Sequence, residues 1–176
     1  MDVQTINSMN YEQFQDTFGN IIEKCLLITA AIWSKQPFSS VHEMEVCVYE
    51  FIESLPMSGK EGILRCHPDL AGRELSSGTL TVESQHEQLQ AGLTSLTTEE
   101  QEILALLNSQ YKEKFGFPFV ICAKMSDKRK IMEELSYRLQ NDPSTELLKG
   151  IDEVKKICHL RLQDILFKSA VLPTKL

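Results

Sequence analysis

The sequence predicts an all-α protein, and three observations carry that prediction. Apolar residues recur at three- and four-residue spacing through most of the chain, capping signals stand where these runs begin, and the few glycines and prolines fall between the runs. About seven or eight helices are expected from this periodicity. They are expected in one compact domain over residues 1–176, with one irregular apolar segment crossing the core and residues 171–176 as a flexible tail.

Taken in order, Asn10 precedes Tyr11, Phe14 and Phe18, which share a helical face, and Gly19 can end that helix. Asn20 with Glu23 resembles a capping box for a second helix running towards Ser34, ahead of Pro37. Ser40 with Glu43 repeats the device, and Met44, Val48, Phe51, Ile52 and Leu55 line one face up to Pro56. Ser58 with Glu61 opens a shorter segment that closes at His67-Pro68, because a residue before proline is steered out of helical geometry. Residues 69–78 read as loop and 82–92 as helix. Thr98 with Gln101 caps a longer helix whose apolar set is Ile103, Leu106, Leu107, Tyr111 and Phe115, ending at Gly116. Residues 117–123 are apolar without helical period, and no partner strand is evident, so a buried extended segment is expected. Helices near 127–139 and 145–167 complete the chain. The last carries Leu147, Leu148, Ile151, Val154, Ile157, Cys158, Arg161, Leu162 and Ile165 on one face.

Composition narrows the function classes. An apolar fraction of 42% builds a core without disulfides or a structural metal. The net charge is −7 and the longest basic run is Lys128-Arg129-Lys130, which argues against a nucleic-acid surface. The five cysteines, Cys25, Cys47, Cys66, Cys122 and Cys158, are odd in number and contain no CxxC pair. Reduced thiols are expected, with no zinc ribbon or thioredoxin-type motif. Residues 1–4 lack the pattern of a signal peptide, and the apolar stretch 25–33 is too short to span a bilayer, so a soluble intracellular chain with no membrane partner is expected.

Four features depart from a plain helical pattern. His67 stands at a helix end immediately before Pro68 and a turn, either as a capping or surface histidine or as a ring projecting into a cleft. In Glu83-Ser84-Gln85-His86-Glu87-Gln88, Glu83 and Glu87 share one face and Ser84 and Gln88 another. This is a solvated polar face, or a carboxylate placed to orient a histidine such as His67. His86-Glu87 does not complete an HExxH zinc signature, because Gln90 stands where the second histidine belongs, and no metal is expected. The apolar 117–123 stretch leaves backbone N–H and C=O groups in need of partners, which core packing or an amide-rich ligand must satisfy. Arg161 lies on an apolar helix face, where it either snorkels outward or binds an anion.

As a set, these motifs resemble one family. His67-Pro68-Asp69-Leu70-Ala71-Gly72-Arg73, then Glu83-Ser84 with Glu87-Gln88 and Ala91-Gly92-Leu93, then Leu107-Asn108, Tyr111 and Lys114-Phe115-Gly116-Phe117-Pro118-Phe119-Val120 are similar to the 2-oxo-4-hydroxy-4-carboxy-5-ureidoimidazoline (OHCU) decarboxylases. Those enzymes complete the conversion of urate to (S)-allantoin. The likeness extends over nearly the whole chain, including the Phe18-Gly19, Trp33 and Arg161-Leu162 regions.

The resemblance implies an all-α homodimer acting without a cofactor on a small ureide. It assigns His67 as the catalytic acid working with Glu87. It places substrate against Pro68, the turn Ser84, Gln85, His86 and Gln88, the backbone of Phe119, Val120, Ile121, Cys122 and Ala123, and Arg161. The family's substrate carries a C=N bond beside the carbon bearing the carboxylate. That bond is itself an electron sink, so the reaction needs no imported one. Thr174-Lys175-Leu176 resembles the C-terminal Ser-Lys-Leu peroxisomal signal, so a peroxisomal location is expected, with cytoplasm the alternative. The competing class is a non-catalytic helical interaction module, in which the His67 and Glu87 segments are a polar rim.

Overall fold

The structure, a computed structural model, describes residues 1–171, with side chains through residue 168. Its elements are α1 (Val3–Asn7), α2 (Tyr11–Phe18), α3 (Leu26–Trp33), α4 (Val41–Ser54), α5 (Met57–Arg65), α6 (Arg73–Ser77), α7 (Val82–Gln90), α8 (Thr98–Phe115), a 3-10 turn (Ala123–Met125), α9 (Lys128–Arg138) and α10 (Pro143–Val171). The chain is all-α; among the described residues there is no strand. Thr174-Lys175-Leu176 lies outside the described residues.

The residues group into two compact units: residues 1–59 with the chain from Lys155 onward, and residues 60–154. In the first unit α3 packs on α2 and α4 around Phe14, Phe18, Ile28, Ile32, Met44, Val48 and Ile52. In the second, α9 packs on α8, and α7 packs on the 3-10 turn. Tyr111 is fully buried there among Phe115, Phe117 and Phe119, and its ring meets the Phe119 ring edge-on at 5.4 Å.

Most helix starts follow from their caps. Asn10 and Gln13 form a complete capping box, Ser40 caps α4, Thr81 caps α7 and Asp127 caps α9. At α8 the box is Thr97 with Glu100, one residue earlier than the expected Thr98 with Gln101. Its far end turns at Gly116, whose φ of 77° is a left-handed conformation that glycine adopts at little cost.

Other local expectations change too: α5 already begins at Met57, so Ser58 does not cap it, and Leu148 of α10 is exposed. Asn20 and Glu23 do not start a helix: Asn20 accepts the Lys24 N–H, Lys24 sits at φ 52°, and α3 begins only at Leu26. Glu23 is drawn out of any helical start because its carboxylate is buried against Arg161. The 69–78 stretch contains the short helix α6, and α1 at the N-terminus adds another, which brings the α-helices to ten among the described residues. On α8 the buried stripe is Leu104, Asn108, Tyr111 and Phe115, while Ile103 and Leu106 face solvent. The face turns because the Asn108 amide is needed inside, where it donates to the Leu70 carbonyl at 3.0 Å.

Candidate functional site

The site is built on the loop that joins α5 to α6. Pro68 stops α5 from continuing, and the chain then turns tightly enough that Ala71 takes φ 51°, a left-handed conformation costly for a residue with a Cβ. Three side chains hold the turn: Gln88 Oε1 accepts the Ala71 N–H at 2.9 Å, Asn108 donates to the Leu70 carbonyl, and Lys112 pairs with Asp69 at 2.6 Å. Gly72 completes it, since a Cβ there would lie 2.8 Å from the Asp69 Cβ. The loop geometry is therefore imposed by α7 and α8.

His67 sits at the head of this loop, half-buried. Its Nδ1 lies 2.9 Å from the Ile63 carbonyl oxygen. A carbonyl can only accept, so Nδ1 carries the hydrogen. The ring lines a cavity of about 750 Å³ with Arg65, Asp69, Arg73, Glu74, Lys112, Gly116, Phe117 and Pro118. Two of the cations are engaged: Lys112 with Asp69, and Arg65 with Glu61 and the Gly116 carbonyl. An aqueous cavity with both charges and an apolar wall at Phe117-Pro118 suits a small polar molecule.

Helix α7 divides the expected contact residues by face. Ser84 and Gln88, four residues apart, are buried; Glu87 is half-buried; Glu83, Gln85 and His86 are exposed. Gln85 lines a second cavity of about 1170 Å³ with Asp69, Ala71, Arg73, Leu93, Asn108 and Lys112 among others. Gln88 has its oxygen committed to Ala71, and its buried Nε2 has no hydrogen-bond partner among the described residues. What Gln88 can offer a ligand is therefore a donor, suited to a carbonyl oxygen.

Phe117, Pro118, Phe119, Val120, Ile121, Cys122 and Ala123 are all buried, without regular secondary structure until Ala123 opens the 3-10 turn. That turn, Ala123–Met125, lies against α7, the helix of Ser84 and Gln88. Part of the segment's hydrogen-bonding capacity is met within the protein. Val120 O accepts from Arg138, and Cys122 N–H donates to Glu153.

A family model described as OHCU decarboxylase matches residues 7–163. A Xenopus laevis protein named 2-oxo-4-hydroxy-4-carboxy-5-ureidoimidazoline decarboxylase is 72% identical over 176 residues, all of both chains. The chain belongs to the OHCU decarboxylase family. A Mus musculus protein of the same name is 57% identical over 94% of this chain and 93% of its own. Among solved structures, OHCU decarboxylase crystallised in the presence of (S)-allantoin aligns with TM-score 0.68 at 20% identity, over 89% of this chain and 98% of that one. The crystal structure of (S)-allantoin synthase aligns with TM-score 0.74 at 21% identity, over 94% of this chain and 54% of that one. Both likenesses speak to the fold.

In this OHCU decarboxylase family member Arg161 belongs to the first unit, where it is 4% exposed. Its Nη1 lies 2.8 Å from both the Glu23 carboxylate and the Asn20 carbonyl. The expected alternative of a snorkelling side chain is thus excluded: the guanidinium is buried and charge-paired. Beside it on α10, Cys158 is fully buried, and burial foremost, with the charge of Glu45 adding, pushes its thiol up to about 12.

Several polar residues around the second-unit site escaped the sequence reading as site residues: Lys112, Arg138, Glu146 and Glu153, with Asn108 read only within the Leu107-Asn108 motif. A signal existed for two of them. Asn108 continues the spacing of Leu104 and Tyr111, and Arg138 that of Ile131 and Leu135, so each is a polar residue in an apolar stripe. No group of three or more His, Cys, Asp or Glu among the described residues is placed to hold a metal ion, and no helix among them is long and apolar enough to cross a membrane.

Proposed function

We propose that this chain converts 2-oxo-4-hydroxy-4-carboxy-5-ureidoimidazoline to (S)-allantoin and CO2 by acid–base catalysis centred on His67. The observation that carries the reading is the 72% identity to the Xenopus laevis decarboxylase along the full length of both chains. The His67 loop supports it, because the Ile63 carbonyl holds the ring through Nδ1 at the wall of a cavity.

The bond to the carboxylate breaks, and its electron pair moves into the adjacent C=N bond, whose nitrogen takes up a proton. CO2 leaves and an enol-like intermediate remains. The intermediate's hydroxyl then gives up its proton and becomes a ketone as the neighbouring carbon gains one. Placing that second proton on one face makes the product (S). His67 and Glu87 serve these transfers. Gln88 Nε2 donates to a substrate carbonyl, with Ser84 on the same buried face of α7. Within the first unit, Glu23 fixes the orientation of the Arg161 guanidinium.

The test is circular dichroism on urate treated with its oxidase and the hydroxyisourate hydrolase, with this protein then added. Rapid growth of the (S)-allantoin signal is expected. Growth no faster than spontaneous racemic decay would refute the activity.

Two further parts of the reading concern the cell. The chain works as a homodimer, for which the exposed Leu26 and Leu27 of the otherwise apolar α3 offer surface. Sedimentation equilibrium checks the mass. Thr174-Lys175-Leu176 directs it to peroxisomes. A fluorescent fusion should lose that location when the tripeptide is removed.

A further inference from the structure

The backbone at residues 119–123 is buried and has no neighbouring strand among the described residues. Buried N–H and C=O groups must nevertheless be paired. Here side chains from two helices take the place of a strand. Arg138 of α9 donates through Nη1 to the Val120 carbonyl at 2.8 Å, and Glu153 of α10 accepts the Cys122 N–H at 2.8 Å. The anchors take the Val120 carbonyl and the Cys122 N–H, and the N–H and C=O of Ile121 between them are the backbone groups that neither anchor takes.

The Arg138 anchor is itself fixed. Its guanidinium is 3% exposed, lies 4.5 Å over the Phe119 ring, and donates through Nε to Glu146 at 2.5 Å. Glu146, fully buried, also accepts from the Tyr111 hydroxyl at 2.6 Å and from Asn141 at 2.9 Å. A guanidinium held at two donors and one face cannot move without displacing this cluster, so the height of the Val120 carbonyl is set by α8, α9 and α10 together.

We infer that Arg138 and Glu153 are positioning residues: they clamp the 119–123 backbone so that the Ile121 N–H and C=O meet the amide groups of the bound ureide. This rests on the reading of that segment as substrate-facing. Neither residue touches substrate; each acts through a main-chain group. Glu153 needs only an acceptor oxygen for this, whereas Arg138 needs a fork that bonds two partners at once.

The experiment compares the unaltered protein with Glu153→Ala, Glu153→Gln and Arg138→Lys in steady-state kinetics, in calorimetric titration with (S)-allantoin and in thermal melting. Glu153→Ala should raise KM and weaken (S)-allantoin binding by about tenfold, the scale of one lost hydrogen bond, with kcat changed less. Glu153→Gln, which keeps an oxygen for Cys122, should restore both values. Arg138→Lys should raise KM as Glu153→Ala does. A Glu153→Ala protein with normal KM and binding overturns the inference, even if its melting temperature falls, because the bond would then be structural only. Failure of Glu153→Gln to restore binding also overturns it. If the unaltered protein neither binds (S)-allantoin nor turns over, the functional reading itself fails and takes the clamp with it.

Discussion

Gln88 gives its amide oxygen to the backbone N–H of Ala71 at 2.9 Å, and that bond holds a non-glycine residue at φ 51°. One side chain thereby shapes the loop that carries His67 and keeps a buried N–H donor for a ligand. The two roles can be separated. Gln88→Glu keeps an acceptor for Ala71 but loses the donor, so KM should rise about tenfold or more, and the buried carboxylate should lower stability as well. Gln88→Ala loses both and should also cost about 1–3 kcal/mol of stability in urea unfolding. Equal KM values for Gln88→Glu and the unaltered protein would remove the donor role.

His67→Asn leaves Pro68 in place but removes the imidazole that can pass a proton. Its melting temperature should stay close to that of the unaltered protein, and kcat should fall by about 100-fold or more. Near-native turnover by well-folded His67→Asn would show that the proton passes through another residue.

Gly72→Ala tests the tightness of the loop. The new Cβ would meet the Asp69 Cβ at 2.8 Å and its carbonyl oxygen at 3.2 Å, and Asp69 is tied to Lys112. The loop must shift, at a cost of about 1–3 kcal/mol. Activity should fall with it, since Asp69 is two residues from His67. A crystal structure of the variant with an unmoved loop would contradict this.

Alkaline stability should follow the buried thiol and phenols. In the folded protein burial raises Cys158 from near 9 to about 12, and burial also raises Tyr49 and Tyr111. Between those limits the unfolded chain releases the Cys158 proton and the folded chain keeps it. The stabilisation is therefore complete below about pH 9 and is lost as pH rises towards 12. Denaturation midpoints measured across this range should decline, and less steeply for Cys158→Ala. In the folded protein near pH 8, Cys158 should resist iodoacetamide.

What was legible in the sequence was local. Asn10, Ser40 and the Val82 helix start were readable because a cap and its helix lie within a few residues. The His67-Pro68 turn could be seen because proline restricts the residue before it. The Asn20-Glu23 pair shows the limit: its spacing matches a capping box, but Glu23 is claimed by Arg161 from the far end of the chain. On α8 the apolar count favoured Ile103 and Leu106, and the need to bury Asn108 against Leu70 turned the helix instead.

The sequence by itself determined the all-α class, the order of most helices, and the family whose motifs surround His67, since periodicity, caps and short motifs are properties of neighbouring residues. Tertiary structure alone decided which polar groups are buried together. Arg138 with Glu146 and the Val120 carbonyl, Glu153 with Cys122, and Arg161 with Glu23 join residues between 8 and 138 positions apart. A buried charge or backbone group must find a partner wherever the fold supplies one, and sequence spacing carries no record of that choice.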